Sequence, residues 1–80
     1  MNELTGSTLE VERRRVVSER EAAAFMGFSP GHLRRLRYEG RGPNHILMGE
    51  TKVGYKLGAL MDWVDERERM TAAKTAADGK

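Results

Sequence analysis

Residues 17–43 read VSEREAAAFMGFSPGHLRRLRYEGRGP, and the punctuation of this stretch decides the fold. Ser18 with Glu21 three residues on is a capping-box pattern, in which each side chain satisfies a backbone N–H the helix cannot. The Ala-rich run Glu19 to Met26 follows, and Gly27 closes it as the residue past the helix end. Phe28 bridges to a second start, with Ser29 as N-cap and Pro30 at the first helical position, where its missing N–H costs nothing. Leu33 and Leu36, spaced i and i+3, mark the buried face of this second helix. Gly40 stops it, and Gly42-Pro43 prevents a restart. The first helix spans about two turns and cannot stand in water without packing. Helix, short glycine-containing turn, helix is the spacing of a helix-turn-helix.

Upstream of this motif, ordered structure is expected to begin near Val16-Val17, and residues 1–14 read as a flexible arm of polar and acidic residues with scattered apolar ones. Downstream, His45-Ile46-Leu47-Met48 and Lys52-Val53-Gly54-Tyr55-Lys56 are strand-like runs around Gly49-Glu50-Thr51, the pattern of a hairpin with a glycine-bearing loop. A third helix is expected from about Gly58 to Arg69, with Leu60, Trp63 and Val64 on one stripe. Phe25, Met26, Phe28, Met61 and Trp63 sit at helical spacing among apolar residues and are assigned to the core, Trp63 as the side chain that locks the closing helix. Residues 70–80 have almost nothing to bury and read as a flexible tail. The ordered domain is therefore placed at residues 15–69.

The chain has 80 residues, room for one domain. It has no cysteine, which excludes a disulfide framework and a thiolate metal site and points to a reducing cytoplasm. The opening residues lack the basic-then-apolar order of a signal peptide, and no apolar run nears the roughly 20 residues that span a bilayer. A net charge of +2 hides an uneven distribution. From Arg13 to Lys56 ten Lys or Arg stand against four acids, whereas Leu57 to Arg69 holds four acids against two Arg. A basic body with an acidic closing helix fits a polyanionic partner on one face, the alternative being a solvated surface of mixed charge.

The ordered set of signals then becomes specific. Val17 to Ser29 resembles the opening of the AlpA-type and excisionase-type regulators, which belong to the MerR-like winged helix-turn-helix group. Leu33 to Pro43 resembles the second helix and exit turn of that group, and Leu60-Met61-Asp62-Trp63-Val64 its closing helix. The resemblance spans residues 16–69 and implies a mainly α fold of three short helices with a β-hairpin wing. It also implies a bacterial or phage-encoded protein that binds double-stranded DNA. Two departures stand out. Gly58-Ala59 replaces the Ser or Thr followed by an acid that usually opens the closing helix, so Gly58 is expected to act as a weak N-cap. Glu50 at the hairpin tip would face a phosphate badly, which shifts wing contacts towards Lys52 and Lys56.

In a helix-turn-helix the second helix enters the major groove with its N-terminal residues nearest the bases. Ser29, Pro30, Gly31, His32, Arg34 and Arg35 are therefore the candidates for the groove. Gly31 allows close approach of the backbone and leaves N–H groups to face a phosphate. Arg34 or Arg35 can fork onto guanine O6 and N7. Arg37, Arg41, Lys52 and Lys56 fit phosphates, and Arg13, Arg14 and Arg15 a backbone or a minor groove. Against each stands a plainer role: clustered arginines are often a solvated face, His32 a surface residue, and Tyr38 packing against the hairpin instead of stacking or donating to phosphate.

No metal, cofactor or small-molecule substrate is called for. His32 and His45 have no cysteine or acid-His spacing beside them, and no nucleophile set or phosphate loop is present. The leading expectation is an excisionase, a recombination directionality factor that bends attachment-site DNA and biases an integrase towards excision. The alternatives are an AlpA-like regulator at a promoter and an adaptor that docks on a protein through its acidic helix. The unlike patches around Arg34, Arg35 and Arg41 and around Asp62, Asp65 and Glu66 also fit head-to-tail self-association on DNA, with Leu4, Leu9 and Val11 of the arm as further contacts.

Overall fold

A computed structural model of the chain describes residues 9–78. The first helical stretch, α1, covers residues 9–14. It leads into β1 (Val16–Ser18), α2 (Glu19–Met26), α3 (Pro30–Tyr38), β2 (Ile46–Leu47), β3 (Val53–Lys56) and α4 (Leu57–Asp78). This is a winged helix-turn-helix, with α2 and α3 as the motif and β2 and β3 as the wing.

Local chemistry sets the motif. The Ser18 hydroxyl accepts from the Glu21 N–H at 3.1 Å, and the Glu21 carboxylate accepts from the Ser18 N–H at 3.0 Å, closing the capping box. That second bond, with the Ser18 hydroxyl behind it, holds the Glu21 carboxyl below its ordinary pKa. At the other end Gly27 takes φ 76°, and the Phe28 N–H returns to the Ala23 carbonyl at 2.8 Å. A residue with a Cβ would be strained there. Ser29 caps α3 by accepting from the His32 N–H at 3.1 Å.

The sheet has the order β1-β3-β2, both pairs antiparallel. Val17 lies opposite Tyr55, and Ser18 opposite Gly54, which in turn lies opposite Ile46. The sequence reading contains no third strand, because three residues are too few to show an alternation. Yet β1 feeds α2 directly, so the strand that joins the wing also ends at the helix cap. Gly54 sits between the edge strands where a Cβ would come within 2.8 Å of Val16 Cγ1 and 3.0 Å of Met48 Cγ. The core gathers Ala22, Ala23, Leu33, Tyr55, Leu57 and Leu60, with Val17, Met26, Phe28, Val53 and Met61 against it.

Several expectations give way. Phe25 is 51% exposed, since the inward stripe of α2 runs Glu19, Ala22, Ala23, Met26 and Phe25 falls outside it. Trp63 is half-buried at the flank of α4, whose core stripe is Leu57, Leu60 and Met61. Of the two roles open to Tyr38, its 73% exposure favours an outward one over packing on the hairpin. Residues 9–14 of the expected arm are helical, and the Arg13 guanidinium ties them to Asp62 at 3.0 Å; residues 1–8, with Leu4, lie outside the described residues. Gly58 is no N-cap, because α4 starts at Leu57 directly from β3. Gly58 is instead the small residue over which Arg13 passes, a Cβ there lying 3.0 Å from the Arg13 carbonyl oxygen. Finally, α4 continues as helix through most of the expected tail. Ala72, Ala73 and Ala76 favour helix without any burial, and no Gly or Pro interrupts before Gly79.

Candidate nucleic-acid interface

The side chains of α3 divide by angle around the helix. Leu33 and Leu36 are buried and Arg37 faces the same side, so the opposite face presents Gly31, Arg35 and Tyr38. Arg34 borders that face on one flank, with His32 and Glu39 on the other. In the first turn, Pro30 has no N–H, and the amides of His32 and Leu33 are taken by the side chain and carbonyl of Ser29 at 3.1 and 3.2 Å. The Gly31 amide remains to donate outward, as does the Ser29 hydroxyl proton.

One flank is organised by a carboxylate. Glu19, at the first position of α2, accepts from Arg37 Nε at 2.7 Å, Arg37 Nη2 at 3.1 Å and the Tyr55 hydroxyl at 2.9 Å. Arg34 Nε stands 3.9 Å from its other oxygen. The group therefore joins the start of α2, the length of α3 and the wing strand β3. Arg37, expected on phosphate, is only 15% exposed and has its guanidinium committed to Glu19. Its bidentate bonds hold the Glu19 carboxyl below the ordinary value, and Glu19 in turn keeps Arg37 protonated at any pH the protein meets. Burial and the bond to Glu19 push the Tyr55 hydroxyl up to about 12.

On the other flank, His32 meets the edge of Phe28 at 4.6 Å between ring centroids, and Phe28 meets Trp63 at 6.0 Å. The Trp63 indole N–H donates to the Arg41 carbonyl at 3.1 Å, fixing the exit turn of α3 to α4. Arg41 itself is exposed and rests on Glu39 at 3.2 Å. Arg35 is exposed and forms no ion pair among the described residues.

The remaining candidates are dispersed. Lys52 stands at the wing, where its carbonyl accepts the Met48 N–H at 2.8 Å and closes the loop. Lys56 lies at the opposite end of β3 and borders a groove of about 520 Å³ with Arg14, Asn44 and Trp63. Arg13, Arg14 and Arg15, expected on a backbone or in a minor groove, pair with Asp62, Glu10 and Glu12 at 3.0, 3.8 and 3.1 Å, the first two from the helical residues 9–14. Ser29, Gly31, Arg34 and Arg35 are thus brought together, while Lys52 and Lys56 are not. Glu19 is not among the residues expected from the sequence, whereas Tyr38 takes the outward place that one of its two expected roles requires. For Glu19 the only signal was an acid in the first turn of a helix, which any surface helix can carry.

Among the described residues, no three His, Asp or Glu side chains gather as a metal would require, and no helix is long and apolar enough to cross a membrane. Comparison with individual curated proteins and with solved structures returns no significant match. A family model does match: the prophage CP4-57 regulatory protein (AlpA) family, over residues 15–69. That span runs from the residue before β1 into α4 and takes in the whole of the motif and wing. The chain belongs to the AlpA family of prophage regulatory proteins.

Proposed function

We propose that this protein binds duplex DNA sequence-specifically as a cytoplasmic regulator of a prophage or related mobile element. The observation that carries the reading is the outward face of α3, where Gly31, Arg35 and Tyr38 stand exposed with Arg34 beside them on a helix braced from behind by Glu19. Seated in a major groove, Arg35 forks onto a guanine and the Gly31 amide meets a phosphate. Arg41 and Lys52 add phosphate contacts at the exit turn and the wing.

Two biological roles use this same surface. As an excisionase the protein bends attachment-site DNA and biases an integrase towards excision, which the likeness of its helix-turn-helix to excisionase-type proteins supports. As a promoter regulator it controls transcription, which the regulatory description of its family favours. Titration of a duplex enriched by the protein from a random pool tests the binding itself, and affinity should fall steeply and linearly on a log–log plot as salt rises. A flat salt response would sink the DNA reading and favour an adaptor role. Parallel excision and promoter-reporter assays then separate the two roles.

A further inference from the structure

We infer that Arg67, on the closing helix, is a phosphate contact that clamps the flank of α3 opposite to Arg34; this rests on the DNA-binding reading above. The guanidinium carbon of Arg67 lies over the Trp63 ring, 4.8 Å from its centroid. Trp63 is held at its N–H by the Arg41 carbonyl and at its ring by Phe28, which carries His32 of the first turn of α3. Trp63 therefore touches residues just before and just after α3, which ties this turn of α4 to the two ends of that helix. When a helix sits in a major groove, its two flanks face the two phosphate strands. On this flank α3 itself offers His32 and Glu39, the latter an acid that engages Arg41 of the exit turn at 3.2 Å, so a cation with all its donors unspent has to come from α4.

Arg67 has the required chemistry. Stacking on an indole uses the face of the guanidinium and leaves its in-plane N–H donors free. Arg37 and Arg69, by contrast, spend N–H groups on Glu19 and Glu66. Arg67 is exposed and forms no ion pair among the described residues, although it stands on a helix rich in acids. A planar cation pre-oriented by an aromatic platform, with unspent donors beside the groove-facing helix, is suited to a phosphate.

The test is salt-dependent titration of two labelled duplexes, one enriched by the protein from a random pool and one unselected. Arg67→Gln is expected to flatten the slope of log affinity against log salt by about 0.9, roughly eightfold less loss per tenfold salt, equally on both duplexes. Arg67→Lys should keep the wild-type slope, and so should Lys74→Gln further along the same helix. Trp63 is the only tryptophan, so its emission should change on adding DNA to wild type as a phosphate comes up to the guanidinium lying over the ring, and change less in Arg67→Gln. An unchanged slope in Arg67→Gln overturns the inference while leaving DNA binding intact. A wild-type protein with no salt dependence overturns the DNA-binding reading instead.

Discussion

Glu19 shows how one side chain is asked to do structural and functional work together. It is largely enclosed, meets Arg37 through two bonds and Tyr55 through a third, and stands near Arg34. Glu19→Gln keeps the shape but removes the charge, and is expected to cost about 1.5–3 kcal/mol in a denaturant titration, the range for hydrogen bonds to charged groups. The pH dependence follows from the direction of the shift. Because the folded carboxyl titrates below its ordinary value of 4.5, its contribution is complete above that value and lost as the pH falls through the lower, folded one. Tyr55 acts at the other extreme: its folded pKa is raised from 10.0 to about 12, so the stability it adds is present below 10 and lost on approach to 12. Thermal melts across both ranges should show two losses in wild type, and Glu19→Gln should blunt the acid one. For binding, Arg35→Ala is expected to weaken the enriched duplex by about 1–3 kcal/mol and relax preference at one base pair. Arg34→Ala, from the flank, should weaken binding with less change in preference. Equal binding by both variants and wild type would remove α3 from the groove.

Among the elements, the two short helices of the motif and the long α4 obey different rules. Neither α2 nor α3 is long enough to persist alone, so both depend on the side chains they bury. Leu33 is fully buried and Leu33→Ala is expected to cost about 2–5 kcal/mol, whereas the half-buried Trp63 should cost about 2–3 kcal/mol as alanine, below the usual figure for an enclosed aromatic. A Trp63→Ala variant that fails to fold would show that its bonds to the exit turn and to Phe28 matter more than its exposure. Within α4 the first turns pack on the core through Leu57, Leu60 and Met61, while residues 65–76 are all exposed. Amide hydrogen exchange should therefore divide the helix near Val64, slow before it and fast after residue 70, where only propensity maintains the hydrogen bonds. Uniform protection along α4 would mean that a partner covers its far half.

For the molecule as a whole, charge is arranged on separate surfaces. Arg34, Arg35 and Arg41 stand on and just after α3, Asp62 is engaged by Arg13, and Asp65 and Glu66 lie further along the exposed part of α4. Exposed ion pairs contribute on the order of 0–1 kcal/mol each, so contacts between copies through these patches need DNA to align them. The expectation is a monomer in free solution that fills neighbouring sites cooperatively. Footprinting on tandem sites decides it, since independent filling, or a closed dimer without DNA, would discard the arrangement. Leu9 and Val11 are exposed on α1, which places them on a helical surface and not on a loose arm.

The sequence by itself determined whatever depends on neighbours along the chain. Ser18 with Glu21, Gly27, Ser29-Pro30 and Gly40 set the bounds of α2 and α3, because caps and left-handed turns are satisfied within a few residues. Those bounds, with the wing and the stripe of Leu60, made the family legible. What only the tertiary structure decided depends on residues far apart in sequence. Periodicity did not separate Phe25 from Ala22 and Ala23, since an eight-residue helix tolerates several apolar faces until a partner selects one. Nor did composition distinguish Arg35, free on the outward face, from Arg37, two residues on and bound to a carboxylate eighteen residues earlier. The clustered arginines of α3 have the same charge in the sequence. Long-range ion pairing and burial assign them different work, because a charge taken from water must find its counter-charge wherever the fold brings one.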